Sequence, residues 1–268
     1  MHVHFLDPYR PGVSPVHRLD PRVKLVLTLA CISTVALTPV EAWPAYVLLL
    51  SVILSVEILS DLGIGYVLKR AALALPFVLA AAPVVFTTEG TVLVSLRLGT
   101  SRLSTTMEGL ARFVSVALKS WLSVQAGIVL ASSTPFPDLL QAMRAIHIPR
   151  LLVAMFGLMW RYLFVLVDEA LRLTRARAAR SGQSDRPGAR AGGSLVWRAR
   201  VTGGMAGNLF LRAFERSDRI YMAMVSRGYD GEARSLPLAA MAPGARLTLA
   251  GGLVLMAMLL ALGFLLRG

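Results

Sequence analysis

The chain has 268 residues, of which 56% are hydrophobic and only 16% charged, with a mean hydropathy of +0.64. Soluble domains run at about 45–50% apolar and about 25% charged, so an ordinary soluble domain is excluded; so are a disordered chain, which needs low hydrophobicity, and an intrachain disulfide scaffold, since Cys31 is the only cysteine. The net charge of +13 rests almost wholly on arginine, with Lys24, Lys69 and Lys119 the only lysines, and in a polytopic membrane protein such charge marks cytoplasmic loops rather than a nucleic-acid partner.

Residues 1–20 carry no apolar h-region, so no cleavable signal is expected and this segment is placed in the cytoplasm. Leu25–Thr38 is the first uncharged run, anchored by Arg22 and Lys24. Pro39, Glu41 and Pro44 interrupt it, and Ala42–Val56 follows. Each run is shorter than the ~17–25 residues of a typical span, and together they read as a helical hairpin with a tight outer turn. Lys69 and Arg70 mark the return to the cytoplasm. Ala71–Thr88 is the third span, with kinks expected at Pro76 and Pro83. Thr91–Leu98 is β-branched and partly alternating between Gly90 and Gly99, and predicts a small strand-like outer excursion. Met107–Ser133 is the fourth span. Lys119 sits near its middle, so it must face protein or water rather than lipid.

After Ser133 the pattern turns amphipathic. Phe136, Leu139, Leu140, Met143 and Ile146 share one face of a short segment bounded by Pro137 and Pro149, which reads as an interfacial helix. Leu151–Arg180 is free of proline and predicts a helix of about 45 Å. Its first half is apolar, while its second half carries Arg172, Arg175, Arg177 and Arg180. Arg161 within the apolar half disfavours a plain crossing. The expected path is a long tilted helix that leaves the interface over the cytoplasmic face. Residues 181–194 form a Gly/Ser-rich linker. Leu195–Arg227 is the second long helix, with Phe210, Phe214, Tyr221 and Val225 on its apolar stripe. The stretch 168–234 holds 13 arginines against 7 acidic residues and is read as cytoplasmic. Leu247–Leu266 is an uncharged final span. The fold class is thus an all-α polytopic membrane protein. It has about five transmembrane helices and long cytoplasmic-side helices, divided as 1–133, 134–234 and 235–268.

The search for chemistry is mostly negative. No lysine follows glycine, so no Walker A loop exists, and CxxC, HExxH and GxSxG are all missing. His2, His4, His17 and His147 show no metal-ligand spacing. His2 and His4 beside an N-terminal amine could bind a transition metal, although a poorly ordered terminus is the plainer reading. Asp168 and Glu169 are neighbours in sequence and do not face each other on a helix, so they read as the polar start of the exposed half. The chain reads as non-catalytic.

One pattern occurs twice. Ala179-Arg180-Ser181-Gly182 ends the first long helix and Ser226-Arg227-Gly228 ends the second. Glycine past a helix end and arginine in its last turn make a good C-terminal cap, and that alone could explain both. The alternative is that Arg180 and Arg227 project as plugs, since a guanidinium docks bidentate onto a partner carboxylate and small neighbours permit close approach.

The chain also resembles the transmembrane T component of energy-coupling-factor transporters, cobalt type (the CbiQ family). The residues 14–25, SPVHRLDPRVKL, look like the family's N-terminal signature, and Pro135–Pro149 looks like its first coupling segment. Arg177-Ala178-Ala179-Arg180-Ser181 looks like its first arginine motif, and residues 207–231 resemble the block around the second. The family's motif is usually Ala-Arg-Gly, so Ser181 and Ser226 depart from it conservatively. The resemblance implies an energy-coupling subunit of an importer in the cytoplasmic membrane of a prokaryote. It would link two ABC-type ATPases to a metal-binding S component and contact membrane lipids, but no nucleic acid. Arg180 and Arg227, flanked by Ala179, Ser181, Ser226 and Gly228, would sit in the ATPase grooves. Phe136, Leu139, Leu140, Met143, Phe210, Phe214 and Tyr221 would face the S component. The chain would hold no cofactor; ATP and Mg would be used by the ATPases. The signature favours cobalt, with nickel or a vitamin such as biotin left open because another subunit selects the substrate. A membrane enzyme or a permease with its own substrate site is the competing class.

Overall fold

The computed structural model describes residues 8–88, 91–98, 101–180, 194–231 and 240–266. His2, His4, Ser181 and nearly all of the 181–194 linker lie outside them. The described residues form two compact units, one of α-helices 1–8 and 11 with a hairpin, the other of helices 9 and 10.

In the first unit, α1 (Pro15–Arg18) and α2 (Pro21–Leu37) are joined by a tight turn. Ser14 and Asp20 cap them, accepting from the backbone N–H of His17 and Arg22, and each helix opens on a proline. After Pro39, α3 (Trp43–Leu59) runs back. The run Ile64–Thr87 is divided as the prolines require. Helix α4 (Ile64–Ala71) passes into a 3-10 turn at Ala72–Ala74, then α5 (Leu75–Ala80) and α6 (Val84–Thr87). Pro76 cannot donate to the carbonyl of Ala72, nor Pro83 to that of Leu79, and the breaks fall there.

Strands β1 (Val92–Leu98) and β2 (Ser101–Thr106) pair antiparallel, with Leu96 opposite Leu103 and a register shift between Val92 and Val94. The expected strand is thus one arm of a hairpin. Its base is pinned by Thr106 Oγ1, which donates to the Thr88 carbonyl at 2.8 Å, and by Thr91 N–H, which donates to the Glu108 carboxylate at 2.8 Å. Thr106 also caps α7 (Met107–Ser133), which is followed by α8 (Phe136–Ala145) and, at the chain's end, α11 (Pro243–Leu265). Pro137 lies within the first turn of α8 rather than bounding it, which suits a residue without an N–H.

The core joins four of these helices: Cys31 and Val35 from α2, Tyr46, Leu49 and Ile53 from α3, Leu122 and Ala126 from α7, and Met256 and Leu259 from α11. Cys31 is a small buried core side chain, as its apolar surroundings predict. α11 packs Gly252 against the Leu27 side chain of α2, where a Cβ would meet the leucine's terminal methyl at 2.5 Å. Lys119 Nζ donates to the Ala36 carbonyl at 2.9 Å, so this mid-span cation faces protein. Tyr46 Oη reaches the carbonyl of Pro39 at 3.1 Å and the Ser115 hydroxyl at 2.7 Å, closing the α2–α3 turn onto α7.

The second unit is α9 (Arg150–Arg180) and α10 (Leu195–Val225). By length and composition, Ile64–Thr87, α7, α9 and α11 can each cross a membrane, and α3 is a shorter apolar helix. The molecule is an all-α polytopic membrane protein, to which the described residues add a β-hairpin.

Candidate functional site

Helices α9 and α10 run in opposite directions. The Glu169 carboxylate accepts from Arg212 Nη1 at 3.1 Å and from Arg216 Nη2 at 3.0 Å. Farther toward the C-terminal end of α9, Arg177 Nη1 donates to Thr202 Oγ1 at 2.8 Å, and its guanidinium stands over the Trp197 ring. Residue numbers rise along α9 as they fall along α10. The C-terminal tips of the two helices consequently point to opposite ends of the pair.

Those tips carry the two motif arginines. Arg180 is the last residue of α9, and both it and Ala179 are exposed. Ser181 lies outside the described residues. Arg227 is also exposed, between Ser226 and Gly228. The turn there is a glycine-closed helix end: Gly228 has φ +80°, its N–H donates to the Val225 carbonyl at 2.9 Å, and Tyr229 N–H donates to the Met224 carbonyl at 3.0 Å. Ser226 Oγ donates back to the Ala223 carbonyl. The cap and the projecting arginine are thus one device, because the cap fixes the backbone from which the exposed Arg227 side chain projects. Arg180 stands eleven residues beyond Glu169, and Arg227 eleven beyond Arg216. Each tip is about 16 Å of helix from the central ion pair.

Between the helices lies a cavity of about 430 Å³, lined by Leu158, Met159, Tyr162, Ile220, Tyr221 and Met224, with Arg216 at its edge. The rest of the α10 stripe is open: Phe210 is 68% exposed, Phe214 61% and Val225 45%. No residue of α10 is buried. A helix with this much uncovered apolar surface is built to be covered. The α8 stripe behaves differently. Phe136, Leu139, Leu140 and Met143 are half-buried, and α8 packs against α2 within the first unit.

Sequence reasoning missed the Glu169 pair. Glu169 is buried, not part of a solvated start, and two arginines from forty residues away neutralise it. A signal was present: Glu169 lies three residues after Leu166 and seven after Tyr162, on the face that lines the cavity. The role of Lys24 was also missed. Its ammonium is buried and donates to the His17 carbonyl at 3.1 Å and the Ser133 carbonyl at 3.0 Å, tying the N-terminal signature to the end of α7.

Comparison with known proteins shows the family of the chain. A family model described as "CbiQ: Cobalt transport protein" matches residues 12–237. An energy-coupling factor transporter transmembrane protein EcfT from Thermosediminibacter oceani is 29% identical over 83% of this chain and 83% of its own length. One from Listeria innocua is 29% identical over 84% of each chain. A cobalt transport protein CbiQ from Rhodobacter capsulatus is 28% identical over 69% of this chain and 71% of its own. The matched region takes in the buried Lys24 network, the α9–α10 pair and both arginine tips, and the chain belongs to the CbiQ family of cobalt transport proteins.

Proposed function

We propose that this chain is the energy-coupling T subunit of an importer in a prokaryotic cytoplasmic membrane. Two ATPase subunits engage Arg180 and Arg227, and motion passes through α9 and α10 to a substrate-binding membrane subunit. The observation that carries the reading is the pair of exposed arginines on opposed helix tips, equally far from one ion pair. Such a pair suits a partner with two like grooves, as a dimer of ATPases offers. A guanidinium tip enters a groove bearing a carboxylate more readily than a solvated lysine would. The open α10 face with Phe210, Phe214 and Tyr221 supports contact with an apolar subunit; the half-buried α8 stripe with Phe136, Leu139, Leu140 and Met143 is a second, weaker candidate for that contact.

The chain is non-catalytic, and ATP with Mg is used by its partners. Cobalt is the cargo we favour, from the family's description and the relative named for cobalt transport. The substrate subunit decides between cobalt, nickel and a vitamin such as biotin. The test is Arg180→Glu with Arg227→Glu in the assembled transporter. Loss of both ATPases on purification, with the substrate subunit retained and uptake abolished, is expected. Full uptake in that variant would defeat the proposal.

A further inference from the structure

A second cationic feature lies in the first unit. The Arg10 guanidinium stands 3.6 Å from the centroid of the Tyr66 ring, and that of Arg70 stands 4.6 Å from the same ring. Their central carbons are thus at most about 8 Å apart. Neither has a carboxylate at ion-pair distance among the described residues. Two like charges on one ring repel, and the tyrosine offsets that only in part.

The arrangement is held in place nonetheless. Arg10 N–H donates to the Ser132 carbonyl at 2.9 Å. Its own carbonyl accepts from His17 Nε2 at 3.0 Å, which leaves Nδ1 to accept from the Ser14 hydroxyl. Tyr66 and Arg70 stand in the first two turns of the Ile64–Thr87 run. Leu68 and Leu73 on the same run are exposed, as lipid-facing side chains are. The two guanidiniums therefore sit at a water–lipid boundary, where tyrosines and headgroup phosphates gather.

We propose that Arg10 and Arg70, set by Tyr66, clamp the phosphate of an anionic phospholipid headgroup. A guanidinium grips phosphate bidentate, and two such forks on one tyrosine ring bring these contacts to a single headgroup region. A double positive charge favours a net anionic lipid over a zwitterionic one. This site is independent of the ATPase-coupling reading.

The test uses the full chain in nanodiscs or mixed micelles. Its probes are phosphatidylglycerol, phosphatidylcholine and inorganic phosphate, read by native mass spectrometry and by thermal shift. Wild type is expected to retain phosphatidylglycerol over phosphatidylcholine. Arg10→Gln with Arg70→Gln should weaken that retention about tenfold or more, while Arg246→Gln, an exposed charge elsewhere, should leave it unchanged. Should the double glutamine variant not fold, Arg10→Lys with Arg70→Lys keeps the charge but not the fork, and weaker retention is again expected. Equal retention by the double variant and wild type overturns the site. Equal binding of phosphatidylcholine overturns the preference for an anionic lipid. Stabilisation by millimolar inorganic phosphate as strong as by the lipid assigns the clamp to a soluble anion and overturns the lipid.

Discussion

Lys24 shows how a single residue ties the first unit together. An ammonium group at 7% exposure is tolerated because the carbonyls of His17 and Ser133 both accept from it. Lys24→Met keeps the stem and removes the donors, leaving two carbonyls unsatisfied at about 1–3 kcal/mol each. The expected result is a clear fall in melting temperature in detergent, with Lys24→Arg recovering part of it. An unchanged melting temperature for Lys24→Met would mean that water replaces the ammonium at no cost. Gly228 is the counterpart in the second unit. Its φ of +80° is left-handed, so Gly228→Val costs about 1–2 kcal/mol at that helix end. Because the cap fixes Arg227, the same change should reduce ATPase retention without touching a charge. Retention equal to wild type would separate the cap from the plug.

At the scale of elements, the α9–α10 pair depends on Glu169. Glu169→Gln leaves Arg212 and Arg216 facing one another without their shared carboxylate. Hydrogen exchange in residues 195–225 should then rise several-fold relative to wild type. Exchange in α7, which belongs to the other unit, should not change. Equal protection of α10 in both proteins would show that the cavity-lining residues alone hold the pair.

This pairing is also where the sequence was hardest to read. Helix limits were legible because their signals are local: prolines at first turns, glycine after α10, and an uncharged run for α11. The two arginine tips were legible for the same reason, being a motif at a helix end. Glu169 was not, since its partners lie across the linker and adjacent acidic residues look like any solvated helix start. The hairpin was half legible. Thr91–Leu98 has the β-branched pattern, while its partner Ser101–Thr106 is mostly hydroxyl and basic residues, with no apolar alternation to flag a strand. Lys24 looked like an anchor at the membrane surface, because nothing nearby in the chain announces that the end of α7 will cover it.

At the scale of the whole molecule, the proposed coupling role asks whether the tips are rigid levers or tethered plugs. The geometry argues for levers. Arg180 is part of an unbroken helix from Arg150, pinned to α10 at Glu169 and again at Arg177. A lever transmits direction as well as charge. Two alanines inserted after Arg177 leave both pinning contacts in place, yet turn Arg180 by about 200° and advance it by about 3 Å. A seven-residue insertion at the same point advances it by about 10 Å and turns it by only about 20° from its original bearing. If the helix is a lever, the two-residue insertion should lose the ATPase at that tip as fully as Arg180→Glu, although every native side chain is present. The seven-residue insertion keeps the bearing and should dock while failing to transmit the stroke, so ATPase retention survives and uptake does not. Normal uptake with either insertion would identify Arg180 as a flexible tether, and motion would then have to reach the substrate subunit by a route other than α9.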